Sequence, residues 1–230
     1  MKKQNVTRYV GAVEAALTPL RDAARAAPMA AYMKNHFPFL GVPTPARRAA
    51  VKSIARPDPA DVPAIVRALW RRKEREHHYV ALDLLDAMEK KLDAAPTLAL
   101  IEELALKHSW WDSVDGLANI GGAVLRRNPP ARGVVWDWSA HESFWINRLA
   151  ILHQNGWGAE TDQKALFKLC LAHAHNEEFF IRKAIGWALR DYAWTNAAAV
   201  QSFVAANRAK LSALSVREAL KNVGAKGGVK

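Results

Sequence analysis

With a single cysteine in 230 residues, Cys170, the chain can form no internal disulfide and no metal site built from several thiolates. Its neighbours Leu166, Phe167, Leu169 and Leu171 predict a helix core and a buried, inert thiol. Long apolar runs are missing too. No segment is long enough to span a membrane, and Met1-Lys2-Lys3-Gln4-Asn5 is not followed by the apolar stretch of a secretory signal. The expected location is the cytoplasm, with access to the chromosome if the chain is bacterial. No window alternates apolar and polar residues between turn pairs, so no strand is predicted. Gly121-Gly122 lacks the preceding strand and the fingerprint of a nucleotide-binding loop. Adjacent His77 and His78 point apart on a helix, and His173 and His175 have no third ligand at useful spacing, so no metal and no cofactor are expected. Acidic residues are the scarcer charge: 22 Asp and Glu face 33 Lys and Arg, a formal charge of +11. An excess of that size favours nucleic acid or another anionic surface as partner.

What is present is helix. Apolar residues recur at helical spacing, as in Val80, Leu84, Leu85 and Met88, or Leu98, Ile101, Leu104 and Leu106. Thr44-Pro45 and Asp61 with Pro63 read as capped helix starts, and Ser109…Asp112, Ser139…Glu142 and Ser215…Glu218 have capping-box spacing. Breakers fall at Pro57-Asp58-Pro59, Ala95-Pro96, Asn128-Pro129-Pro130 and Asn155-Gly156-Trp157-Gly158. The mixed-sign run Arg71-Arg72-Lys73-Glu74-Arg75-Glu76 reads as a solvated turn between helices. Residues 1–223 read as one domain, and the Gly- and Lys-rich stretch 224–230 as a disordered tail.

A pattern recurs six times: Arg47, Tyr79, Ser113, Arg148, Arg182 and Arg217 are separated by 32, 34, 35, 34 and 35 residues. A period near 34 predicts stacked helical pairs, none able to bury its apolar face alone. The expected fold is all-α, a right-handed superhelix of about six HEAT-like repeats with a concave basic groove. Two positions after each register residue stand Ala49, Ala81, Asp115, Ala150, Ala184 and Ala219. Alanine in that slot suits close helix contact, and packing gives no reason for an aspartate there. If Ser109 caps a helix, Trp111 and Asp115 share a face, and Arg148 and Trp187 occupy related positions in later units. Those four residues can therefore converge.

Several segments resemble the DNA alkylation repair glycosylases of the AlkD type. They are Ala31-Tyr32-Met33-Lys34-Asn35-His36-Phe37, Phe39-Leu40-Gly41 with Thr44-Pro45-Ala46-Arg47-Arg48, and the stretch from Ser109 to Asp115. Trp145-Ile146-Asn147-Arg148 and the run from Glu178 to Trp187 belong to the same resemblance, which extends from about residue 28 to 223. It implies a HEAT-like protein that holds duplex DNA and excises cationic purines such as 3-methyladenine and 7-methylguanine, leaving the lesion stacked. By that resemblance Asp115 is the catalytic carboxylate, Trp111 and Trp187 are aromatic walls against the deoxyribose, and Arg148 contacts the backbone. Tyr32 lies in a segment placed near the groove. From charge and position, Lys183, Arg190, Arg47 and Arg48 are expected to meet phosphates, with Thr44 at the turn that presents the last two.

The expected protein is a monomer that acts on double-stranded DNA containing alkylated purines, with no membrane and no obligate protein partner. Two rivals remain: a non-catalytic relative that binds branched or damaged DNA, and a HEAT scaffold for an acidic protein. Neither needs a carboxylate at position 115.

Overall fold

The recurring register residues fall on six separate helices in the computed structural model, which describes residues 2–223. Arg47 lies on α3 (Thr44–Val51), Tyr79 on α5 (Arg75–Met88) and Ser113 on α7 (Trp111–Arg127). Arg148 lies on α9 (Phe144–Leu152), Arg182 on α11 (Phe179–Ala193) and Arg217 on α13 (Ala213–Ala219). Ahead of α3 come α1 (Lys2–Leu17) and α2 (Ala23–Tyr32). The remaining helices alternate with the register helices: α4 (Val62–Trp70), α6 (Ala94–Ala105), α8 (Val134–Ala140), α10 (Gln163–Ala172) and α12 (Ala197–Ala206). No strand occurs among the described residues, and the fold is an all-helical repeat. The stretch 224–230 lies outside them.

The alanine slot behaves as the spacing requires. Ala81, Ala150, Ala184 and Ala219 are fully buried, while Ala49, on the first register helix, is exposed. The period also reappears in side-chain hydrogen bonding. Leu40 to Glu76, Arg47 and Arg48 to Asp83, Arg126 to Glu160, Ser139 to His173, Gly156 to Asp191 and Ser215 to Arg182 all span 33 to 36 residues. Each bond joins one repeat to the next.

The chain packs as two units, 1–100 and 101–230. In the first, α1 packs on α3 and α4, and α5 on α3 and α4, around Val13, Leu17, Ile65, Leu69, Trp70, Val80 and Leu85. Here the sequence expectation for the run 71–76 is corrected. Arg71, Arg72 and Lys73 are exposed, but Arg75 and Glu76 are fully buried. The Glu76 carboxylate accepts the backbone N–H groups of Leu40, Gly41 and Val42 at 2.9, 2.9 and 3.1 Å. Arg75 stacks its guanidinium 3.8 Å from the Phe37 ring and bonds His78 Nδ1 at 3.0 Å. A buried loop with three amides to satisfy needs an acceptor, and Glu76 supplies it. Gly41 has φ +86°, and a Cβ there would meet Asp22 O at 2.0 Å, so only glycine fits. Glu76→Gln leaves one amide-facing oxygen and is expected to cost about 2 kcal/mol. Chemical denaturation checks this as a lower midpoint at constant slope; an unchanged midpoint rejects it.

In the second unit α9 lies against both α7 and α11, and α11 against α13. α8 and α10 pack on α9, and α12 on α11. Leu117, Ile146, Leu149, Ile181, Ile185 and Leu189 are core, with Trp138 buried and its indole N–H donated to Glu102 at 2.9 Å. At Gly122 a Cβ would meet His153 O at 1.9 Å, so glycine lets α7 reach the end of α9. Burial holds the His153 imidazole neutral, its pKa down at about 4, and pushes the Cys170 thiol up to about 12. The inert thiol expected at Cys170 is what the structure contains.

Helix starts were read less well than helices. Pro43 precedes α3, so Thr44 is its first residue, and Asp61 uses its carboxylate on Asn5 at 3.0 Å while Asp58 caps the preceding turn. Ser109 donates back to Ala105 O, Ser139 lies inside α8 and bonds His173, and Ser212 rather than Ser215 caps α13. Ala95-Pro96 falls within the first turn of α6. A capping box requires its serine just outside the helix, which spacing alone does not test.

Candidate active site

The N-terminal ends of α7, α9 and α11 meet through aromatic rings. Trp110, just ahead of α7, lies 5.9 Å from Trp145 and 5.1 Å from Phe180, and Trp145 lies 4.9 Å from Phe180. Phe144 closes on Trp145 at 4.6 Å. One helical turn inside this cluster are Asp115 on α7 and Arg148 on α9. Arg148 Nε donates to Asp115 Oδ1 at 2.7 Å and Nη2 to Oδ2 at 3.0 Å, a two-pronged pair. Nη1 donates to the Phe180 carbonyl at 2.5 Å. Both ends of the guanidinium are thereby held, and the arginine side chain is 3% exposed, against 14% for the aspartate. Asp115 is the member of the pair that keeps an opening to solvent. Burial raises its pKa, Arg148's hydrogen bonds and charge oppose that, and nearby Asp112 adds to the rise; the net is upward.

This geometry corrects the expected role of Arg148. A guanidinium buried and spent on Asp115 and a carbonyl is not displayed to a phosphate. Trp111 opens α7 one turn before Asp115, and Trp187 lies on α11, each partly exposed. Among the described residues no hydrogen bond or ring contact joins Trp187 to the Asp115–Arg148 pair.

The expected phosphate-binding residues divide. Arg47 is buried, donates to Asp83 at 2.9 Å and lies 4.9 Å from the Tyr79 ring centre, so it is a packing residue rather than a surface cation. Arg48 takes the other oxygen of Asp83 at 2.8 Å and is 64% exposed, open to an anion on its outer side. Burial pushes the Asp83 carboxyl up, but the hydrogen bonds and charges of both arginines outweigh it and hold it below the usual range. Thr44 and Tyr32 are exposed, Tyr32 at the last position of α2. Lys183 and Arg190 both pair with Glu218, at 3.0 and 2.7 Å.

A family model for DNA alkylation repair enzymes matches residues 13–223. The chain belongs to that family. A solved structure, described as a predicted DNA alkylation repair enzyme from Enterococcus faecalis, is 30% identical and superposes with a TM-score of 0.83. The match covers 90% of this chain and 98% of that one. No curated protein matches significantly. For a DNA alkylation repair enzyme, a half-open carboxylate bordered by indoles suits a substrate that becomes cationic. Among the described residues no group of histidines, cysteines and carboxylates is arranged to hold a metal, and no helix is long and apolar enough to cross a membrane.

Sequence reading missed three members of this family site and its surroundings. The Phe180 carbonyl has no sequence signal. Asp83 was set aside for want of a tryptophan neighbour, and Glu218 was treated as a capping residue. For the last two a signal existed: opposite charges one repeat apart, Arg48 with Asp83 and Lys183 with Glu218.

Proposed function

We propose that this repair enzyme is a monofunctional DNA glycosylase that hydrolyses the N-glycosidic bond of cationic N3- and N7-alkylated purines in duplex DNA. One observation carries the proposal: at the single repeat slot where alanine is replaced, a partly open carboxylate is held two-pronged by a buried arginine. A scaffold or a passive DNA binder has no use for that arrangement.

An alkylated purine with a positive charge leaves as a neutral base, so no strong acid is needed to protonate it. As the bond to the sugar stretches, positive charge develops on the deoxyribose. Asp115 stabilises that charge and takes a proton from the water that attacks the anomeric carbon. Arg148 holds the carboxylate in place for both tasks. Trp111 and Trp187 serve as faces for the cationic sugar, each contact worth about 0.5–2 kcal/mol. Those contributions suit a bond already labile, since each 1.4 kcal/mol is about tenfold in rate. No lysine hydrogen-bonds Asp115 among the described residues, which favours hydrolysis without a Schiff base. Selection by charge and lability, with the lesion left stacked, sets no size limit on the adduct.

The test is release of 3-methyladenine and 7-methylguanine from methylated duplex DNA, followed by chromatography, with a metal chelator present. Expected are both free bases, with strands left uncut at the abasic sites. Binding of the duplex with no base released rejects the glycosylase and leaves a DNA-binding relative.

A further inference from the structure

Three cations converge on one buried carboxylate at the junction of α11 and α13. Glu218 is 3% exposed; its Oε2 accepts Arg190 Nη1 at 2.7 Å and Lys183 Nζ at 3.0 Å, and its Oε1 accepts Lys221 Nζ at 2.6 Å. One cation would neutralise one carboxylate. Three leave a net charge of +2, and mutual repulsion makes that arrangement costly unless a further anion joins it. From this cluster we infer a binding site for a DNA backbone phosphate, made by Lys183, Arg190 and Lys221 and organised from beneath by Glu218. The inference rests on duplex DNA being the ligand, as the proposed function requires.

Close packing builds the site. A Cβ at Gly186 would meet Glu218 Cβ at 2.5 Å and Ser215 O at 3.0 Å, so glycine alone lets α13 approach α11 this closely. Ser215 Oγ donates to Arg182 O at 2.8 Å and fastens the same two helices. The carboxylate is thus set under the face of α11 where Lys183 and Arg190 stand four before and three after Trp187. Their outer sides remain reachable: Lys183 is 36% exposed, Arg190 26% and Lys221 48%. Each ammonium has three donors and commits one to Glu218. Hydrogen bonds from Lys221, then the hydrogen bond and charge of Lys183, hold the Glu218 pKa down at about 2 against a burial push, so the clamp persists at any pH the duplex tolerates. A phosphate seated there stands beside the indole that faces the sugar, and fixes the register between backbone and wall. Lys221 was no part of the sequence expectation.

The test measures affinity for undamaged duplex DNA against salt concentration, for wild type, Lys221→Ala, Lys221→Arg and the control Lys164→Ala on α10, an exposed lysine with no part in the cluster. Lys221→Ala is expected to weaken binding several-fold and to reduce the slope of log affinity against log salt by about 0.9, one phosphate's worth. Lys221→Arg restores both, and Lys164→Ala leaves the slope unchanged. An unaltered slope in Lys221→Ala, or an equal loss in the control, overturns the site. A titration with inorganic phosphate at fixed ionic strength separates the two sources of the anion. Saturable phosphate binding that Lys221→Ala abolishes, with no change in DNA affinity, assigns the cluster to the free ion and overturns the backbone proposal. Because undamaged DNA is used, loss of the glycosylase reading alone leaves this result intact.

Discussion

Asp115→Asn is expected to lower release of 7-methylguanine from methylated duplex DNA by about 10²–10⁴-fold while duplex affinity is kept or rises. The charge is removed with almost no change in shape. An asparagine can still accept one donor from Arg148, so the pairing of α7 with α9 survives. What disappears is the negative charge opposite the sugar and the acceptor for water's proton. Loss of a negative charge near bound phosphates works in favour of binding, so the two readouts move in opposite directions. Retained turnover in a folded Asp115→Asn protein places the chemistry elsewhere. A parallel fall in affinity and turnover points to a damaged fold, which circular dichroism detects.

Arg148→Ala is expected to cost about 10²-fold in turnover, the scale of a reacting group misplaced by an ångström. Its diagnostic is the pH profile. Wild-type activity falls as Asp115 is protonated, with a midpoint above the usual carboxylate value because burial pushes it up. Arg148 opposes that push, so its removal carries the midpoint to still higher pH. Arg148→Lys, which keeps the charge without the two-pronged grip, falls between. If Arg148 instead met a phosphate, its loss would weaken DNA binding and leave the midpoint where it was. A shifted acid limb with little change in affinity supports the positioning role, and the reverse outcome rejects it.

The repeat and the odd carboxylate in it were visible because both depend on position along one chain. Each register residue lies on its own helix, and four of the five alanines in the slot are buried, because close helix contact has a compositional requirement that spacing alone reveals. Which arginines face outward was not visible. Arg47 and Arg148 stand at equivalent places in the repeat as Arg182 and Arg217, yet the first two turn inward to Asp83 and Asp115, since those carboxylates lie one repeat away. Glu76 escaped notice for a similar reason: what it satisfies is the backbone of residues 40–42, and backbone need leaves no mark on composition. Serine-based helix starts misled because a three-residue offset recurs by chance within helices.

The inward turn of Arg148 has a consequence for how a substrate is met. Its donors engage Asp115 and the Phe180 carbonyl with no DNA present, so the reactive oxygens are aimed in advance and no side-chain ordering is deferred until the encounter. Scanning along intact duplex then requires no opening and closing of the machinery at each step. A damaged nucleotide is distinguished by how readily it parts from its sugar when it passes a group already in position.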